Sequence, residues 1–162
     1  MKLETLVGVF FLLCTFMVPT ALASGGDAIG SLPAATAEQS ETVKPGESHE
    51  NEDGVNVENS MKSGGDAKVN PKKGNKNSAT TVTTKSRFDG TISGLDSNDT
   101  VNMGSSNTGE VKGDGGRVNL SGGCRVTVTN TSTALNPKIM TVSLPSGATA
   151  TVAPGSSTTF NT

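Results

Sequence analysis

The chain has 162 residues, with 13 Lys and Arg against 15 Asp and Glu and a formal net charge of −2 at pH 7. That balance creates no strong field toward nucleic acid or an anionic membrane, so neither is an expected partner. Aromatic residues make up 3% of the chain, with no Trp, no Tyr and one His, which removes most general acid–base and nucleophilic sets: no catalytic residue and no cofactor is expected.

Residues 1–23 have the form of an export signal. Lys2 supplies a positive start, residues 6–18 are an apolar run, Pro19 ends it, and Ala21-Leu22-Ala23 is an A-x-A cleavage site. The run falls short of the ~20 residues that a spanning helix needs. The mature chain is therefore expected to begin at Ser24, with no stable membrane insertion, and to be secreted, periplasmic or held at the cell surface. Cys14 leaves with the signal, so Cys124 remains alone and no intrachain disulfide can form.

Residues 24–86 are rich in Gly, Ala, Ser, Asn, Glu and Lys. The large apolar residues Ile29, Leu32, Val43, Val55, Val57, Met61, Val69 and Val82 stand singly, and no period of 2 or 3.6 runs through them. A long disordered, charged linker is expected here, because such a segment buries too little surface to offset its chain entropy. An acidic block (Glu38 to Glu58), interrupted by Lys44, precedes a basic block (Lys62 to Lys85), interrupted by Asp66. No aromatics interleave the basic stretch, so it offers no base-stacking platform.

From Arg87 onward, short β-favouring runs alternate with Gly, Asn, Asp, Ser and Pro. Strands are expected over 91–95, 100–103, 117–120, 125–130, 138–144, 148–152 and 157–160. Alternation places Val126 and Val128 on one face and Thr127 and Thr129 on the other. Met140, Val142 and Leu144 share a face, as do Ala148, Ala150 and Val152. Pro145-Ser146-Gly147 and Pro154-Gly155 mark turns. The expectation is a mostly β chain with a small all-β module over 87–162, built as an antiparallel β-sandwich or barrel. The alternative is a short β-solenoid, because Val101-Asn102-Met103-Gly104-Ser105 and Val118-Asn119-Leu120-Ser121-Gly122 are near-copies.

The module's carboxylates are Asp89, Asp96, Asp99, Glu110 and Asp114. Asp96, Asn98 and Asp99 place hard oxygen donors close together, and Asp114 sits in a Gly-rich turn. These four are the candidate metal ligands, with calcium the metal their chemistry suits, although Asp and Asn also simply favour turns. Cys124 shares the parity of Val126 and Val128, which points it inward as an inert thiol; the sharper reading is an intermolecular disulfide. Asn98, Asn119 and Asn130 each open an N-x-[ST] string, an acceptor for glycan in a eukaryotic secretory pathway. His49 stands alone in the acidic stretch.

Val126-Thr127-Val128-Thr129-Asn130-Thr131-Ser132, then Val142-Ser143-Leu144-Pro145-Ser146-Gly147, then Val152-Ala153-Pro154-Gly155-Ser156 resemble the strand and turn pattern of Ig-like modules in secreted bacterial surface proteins. The resemblance falls within residues 124–162 and implies a β-sandwich used as a spacer or adhesive unit. Beyond Val126 the only charged side chain is Lys138, so the strands are weakly guarded against edge pairing. The expected function is a non-enzymatic structural or adhesive role at the envelope or outside the cell, with a protein partner or self-association. The alternatives are a small secreted factor that binds a foreign protein, and a calcium-dependent β module.

Overall fold

The computed structural model describes residues 40–70 and 79–162. The expected export signal lies outside the described residues, as do residues 24–39 and 71–78 of the expected linker. Among the described residues there are thirteen strands: β1 (Glu41–Val43), β2 (Ser48–Glu50), β3 (Asn56–Asn59), β4 (Ala67–Asn70), β5 (Thr81–Thr84), β6 (Asp89–Leu95), β7 (Thr100–Met103), β8 (Thr108–Gly113), β9 (Gly116–Leu120), β10 (Arg125–Asn130), β11 (Met140–Ser143), β12 (Thr149–Val152) and β13 (Ser157–Asn161).

They form two sheets packed as a sandwich. The first runs β1-β4-β5-β7-β9-β11-β12 and the second β13-β10-β8-β6-β3-β2. From β5 to β11 the chain alternates between the sheets, and each return lies parallel to the strand before it. In the first sheet β5, β7, β9 and β11 are parallel neighbours; in the second, β6, β8 and β10 are. This is the coil of a two-sheet solenoid. Both ends are closed by antiparallel pairs: β4 on β5, β3 on β6, β12 on β11 and β13 on β10. The all-β, two-sheet expectation therefore holds. The pairing is mixed, antiparallel at the ends and parallel in the coils that the near-copies pointed to.

The coils follow from a recurring Thr/Arg-Val-x-Thr/Met/Leu string that begins at Thr81, Thr100, Arg117 and Thr141. Registers place Val69, Val82, Val101, Val118 and Val142 side by side in one column. Val57, Ile92, Val111 and Val128 make the facing column in the other sheet. All nine are fully buried. After each first-sheet strand, Arg87, Ser106 and Gly123 sit at equivalent turn positions with positive φ, at 63°, 57° and 75°. The turns stack through Arg87 N–H donating to Ser105 O (3.0 Å) and Ser106 N–H to Gly122 O (3.0 Å).

The largest difference from the sequence expectation concerns residues 41–70 and 81–84, which carry β1 to β5 rather than a disordered linker. Val43, Val55, Val57, Ala67, Val69 and Val82 are all buried. Each strand there has three or four residues, so it shows only one or two inward positions, and Asn59 and Thr84 occupy two of those. Alternation cannot declare itself over so short a span. At roughly 1.5–3 kcal/mol for each buried valine, this segment supplies core that 87–162 lacks by itself. The other missed strand is β8, whose inward residues are Gly109, Val111 and Gly113. A Cβ on Gly109 would meet Gly90 O at 2.0 Å, so close coil packing requires glycine there.

Candidate functional site

The candidate ligands Asp96, Asn98 and Asp99 lie in the turn between β6 and β7, and Asp114 lies one coil further on, between β8 and β9. The turn binds its own backbone. Asp96 Oδ1 accepts from Asn98 N–H (2.7 Å). Asp99 Oδ2 accepts from Asp96 N–H (2.8 Å), and its Oδ1 accepts from Thr80 N–H (2.7 Å). Asp99 is only 3% exposed. Burial pushes its carboxyl pKa up, against the lowering effect of those two amide hydrogen bonds.

Asp114 instead pairs with Lys138, Nζ to Oδ2 at 2.7 Å, and this carboxylate contact raises the Lys138 pKa. The four candidates also face two different grooves. Asp96 and Asp114 line one with Lys112, while Asn98 and Asp99 line another with Arg117. Each groove thus already holds a cation of the chain's own. Among the described residues, no cluster of three or more His, Cys, Asp or Glu side chains is arranged to hold a metal ion. The structure brings Asp96, Asn98 and Asp99 together as a turn and sets Asp114 beside Asp96, with its carboxylate paired to Lys138.

Cys124 is buried, as its parity predicted, and its Sγ donates to Gly104 O at 3.1 Å. A thiol so enclosed is not positioned for a disulfide between chains. His49 lies in β2 opposite Val57 rather than in an unstructured acidic stretch. Of the three N-x-[ST] strings, Asn98 is exposed and Asn119 is half-buried with its amide donating to Asn102 Oδ1 (2.8 Å). Asn130 is fully buried: Nδ2 donates to Lys138 O and Val152 O (both 2.8 Å), and Oδ1 accepts from Ser132 N–H and Ser132 Oγ. That side chain is a strut between loop and cap, closed to modification once the chain is folded.

The outward faces carry rows of hydroxyls set among charged side chains such as Glu58, Lys68, Glu110 and Lys112. On the first sheet Thr81, Thr100, Thr141 and Thr151 share a row broken by Arg117. On the second, Thr127 pairs with Thr159 and Thr129 with Ser157, each through an oxygen–oxygen contact of 2.9 Å. Thr129 Oγ1 also donates to Glu110 Oε1 (3.2 Å). Coil-to-coil register fixes these side chains as an extended hydrogen-bonding surface. Pairing of Thr/Ser rows was implicit in the sequence alternation; the coil that aligns them was not. No family model, curated protein or solved structure matches this chain.

Proposed function

We propose that this protein is an exported, non-enzymatic structural or adhesive module that works at the cell envelope or outside the cell. The observation that carries the reading is the rows of Thr, Ser and Asn on both outward sheet faces, held in coil register among charged side chains. Such a surface offers many weak donors and acceptors at fixed spacing, which suits attachment to a partner surface more than chemistry on a small substrate. The apolar run and A-x-A site at the start of the chain support export. The Ig-like resemblance of residues 124–162 supports an adhesive or spacer use.

The test has two parts. Fractionation of the producing cell with N-terminal sequencing is expected to find a chain starting at Ser24 in the envelope or the medium; a chain starting at Met1 in the cytosol would overturn export. Purified exported chain is expected to attach to envelopes of the producing cell. Replacing Thr127, Thr129 and Thr141 by Ala, all on outward faces, should weaken attachment while the chain stays folded, at a cost in stability of about 0.2–1 kcal/mol for each cross-strand pair lost. Unchanged attachment would contradict the adhesive surface.

A further inference from the structure

We propose that the C-terminal end of the solenoid pairs with the same end of a second copy, β12 against β12 and β13 against β13, so that both sheets continue across the junction. The inference deepens the structural reading above, and rests on it only in treating the chain as a module built to associate.

Among the described residues, β12 and β13 are the last strands of the two sheets at the same end of the molecule. Their free backbone groups can be placed by parity. Thr162 N–H donates to Cys124 O, and Ser156 O accepts from Asn130 N–H. The even-numbered residues of β13 therefore face β10, and the amides and carbonyls of Ser157, Thr159 and Asn161 point off the edge. Ala148 O likewise accepts from Leu144 N–H, which leaves Thr149 and Thr151 of β12 pointing away from β11. Two edges side by side thus present unpaired donors and acceptors, which is the template for strand addition.

The usual defences of an edge are missing at this end. Neither strand contains a charged residue or a proline. The one charged side chain after Val126, Lys138, is turned back onto Asp114 of the preceding coil. The hydroxyl pairs Thr127–Thr159 and Thr129–Ser157 already bridge β10 and β13, and the same side chains can repeat that contact across a junction. The opposite end differs: its edge strands β1 and β2 have three residues each and carry Glu41, His49 and Glu50, with Lys44 and Glu47 between them.

These features select the occupant. A second copy brings two uncharged edges of matched spacing, one for each sheet. A two-fold axis normal to the sheets makes both new pairs antiparallel at once. Such an isologous contact uses up the edges of both copies, so association stops at two.

Sedimentation velocity on the exported chain, over about a hundredfold range of concentration, tests this. The expected result is a monomer–dimer equilibrium. Thr151→Lys with Thr159→Lys, both on outward faces at the edges, should raise the dissociation constant by about a hundredfold or more, with the far-UV spectrum unchanged. The reversed charge Glu50→Lys, at the other end, should leave it as it was. Should the lysine variant misfold, hydrogen exchange on the unaltered chain reads the same contact. Amides of Thr149, Thr151, Ser157, Thr159 and Asn161 should gain protection as concentration rises. A monomer at every concentration, open-ended polymers, or a dimer indifferent to the lysines and to those amides would overturn the proposal. None of these outcomes bears on export or on attachment through the sheet faces.

Discussion

The two ends of the solenoid solve the same problem in opposite ways. Each must close a stack of parallel coils, and each does so with antiparallel strands. The N-terminal closure is broken into four short strands, is rich in charge and uses buried Asn51 and Asn59 to pin its loops. Asn51 Oδ1 accepts from Val55 N–H (2.9 Å), and Asn59 Nδ2 donates to Gly65 O (3.0 Å). The C-terminal closure consists of one hairpin strand and one returning strand, both uncharged. The difference teaches that a sheet's end can be sealed against further growth or left competent for it using the same backbone pairing. Charge and strand length decide which.

The sharpest way to break the comparison is to put a charge into the shared core near each end. Val128→Asp and Val57→Asp each place a carboxylate at a fully buried site. A loss of about 3–5 kcal/mol is expected at each, enough to unfold a domain of ordinary stability. Thr127→Asp, on the outward face beside Val128, should cost only about 1 kcal/mol, from the lost Thr159 contact and the neighbouring Glu110 carboxylate. Urea unfolding followed by circular dichroism checks all three. A silent Val57→Asp would mean that the N-terminal closure is not part of the cooperative unit.

Next in size are the buried asparagines. Asn130→Ala removes four hydrogen bonds from a fully buried site, so a loss of about 2–4 kcal/mol is expected, at a net roughly 0.5–1.5 kcal/mol for each bond. Asn59→Ala should cost less. Its second carbonyl contact, to Val43 O, is long at 3.4 Å, and its Oδ1 accepts from Met61 N–H at 3.2 Å. Equal unfolding midpoints for the two variants would remove the asymmetry in how the ends are pinned.

A smaller effect with the opposite sign is expected at the stacked turns. Ser106 holds φ of 57°, where its coil neighbour Gly123 is free of strain. Ser106→Gly should stabilise by up to about 1 kcal/mol, less the entropy that glycine adds to the unfolded chain.

The smallest expected effects come from titration. The folded pKa of Asp99 is raised above 3.8, so the folded state holds that proton more tightly than the unfolded chain does. Its contribution to stability grows as pH falls through the folded value and is complete below 3.8. Asp66 acts in the other direction. The Lys85 ammonium at 2.7 Å lowers its pKa, so its contribution is present above 3.8 and disappears as pH falls through the folded value. Urea midpoints measured from pH 6 to pH 2 should carry the Asp99 gain first and the Asp66 loss after it. Asp99→Asn should abolish the gain alone.

Much of the C-terminal half was legible because its inward positions are held by large apolar residues at strict alternation, as at Val126 and Val128 and at Met140, Val142 and Leu144. Val126, Val128, Met140, Val142 and Val152 are buried where parity placed them, Cys124 points inward, and Gly147 and Gly155 take the positive φ that their turns require. The solenoid left one trace, the near-copies around Val101 and Val118, which the fold sets in register. The N-terminal strands were hidden for a physical reason. Their inward positions alternate between sheets and between valine and buried Asn or Thr, so the apolar residues look scattered until the coil aligns them. The candidate metal ligands were legible only as residue types. That Asp99 would accept from Thr80 across coils, and that Asp114 would meet Lys138, depends on register, which no local window contains.

Residue-resolved hydrogen exchange on the purified chain tests the central claim most directly, namely that residues 41–70 and 81–84 belong to the same folded unit as residues 87–162. Amides of β4 and β5 facing the neighbouring strands, such as Val69 and Val82, are predicted to exchange only through global unfolding, at the rate found for Val126 and Val128. Exchange of Val69 and Val82 at free-peptide rates, with Val126 and Val128 still protected, would contradict it and return the segment to the disordered linker that its composition suggests.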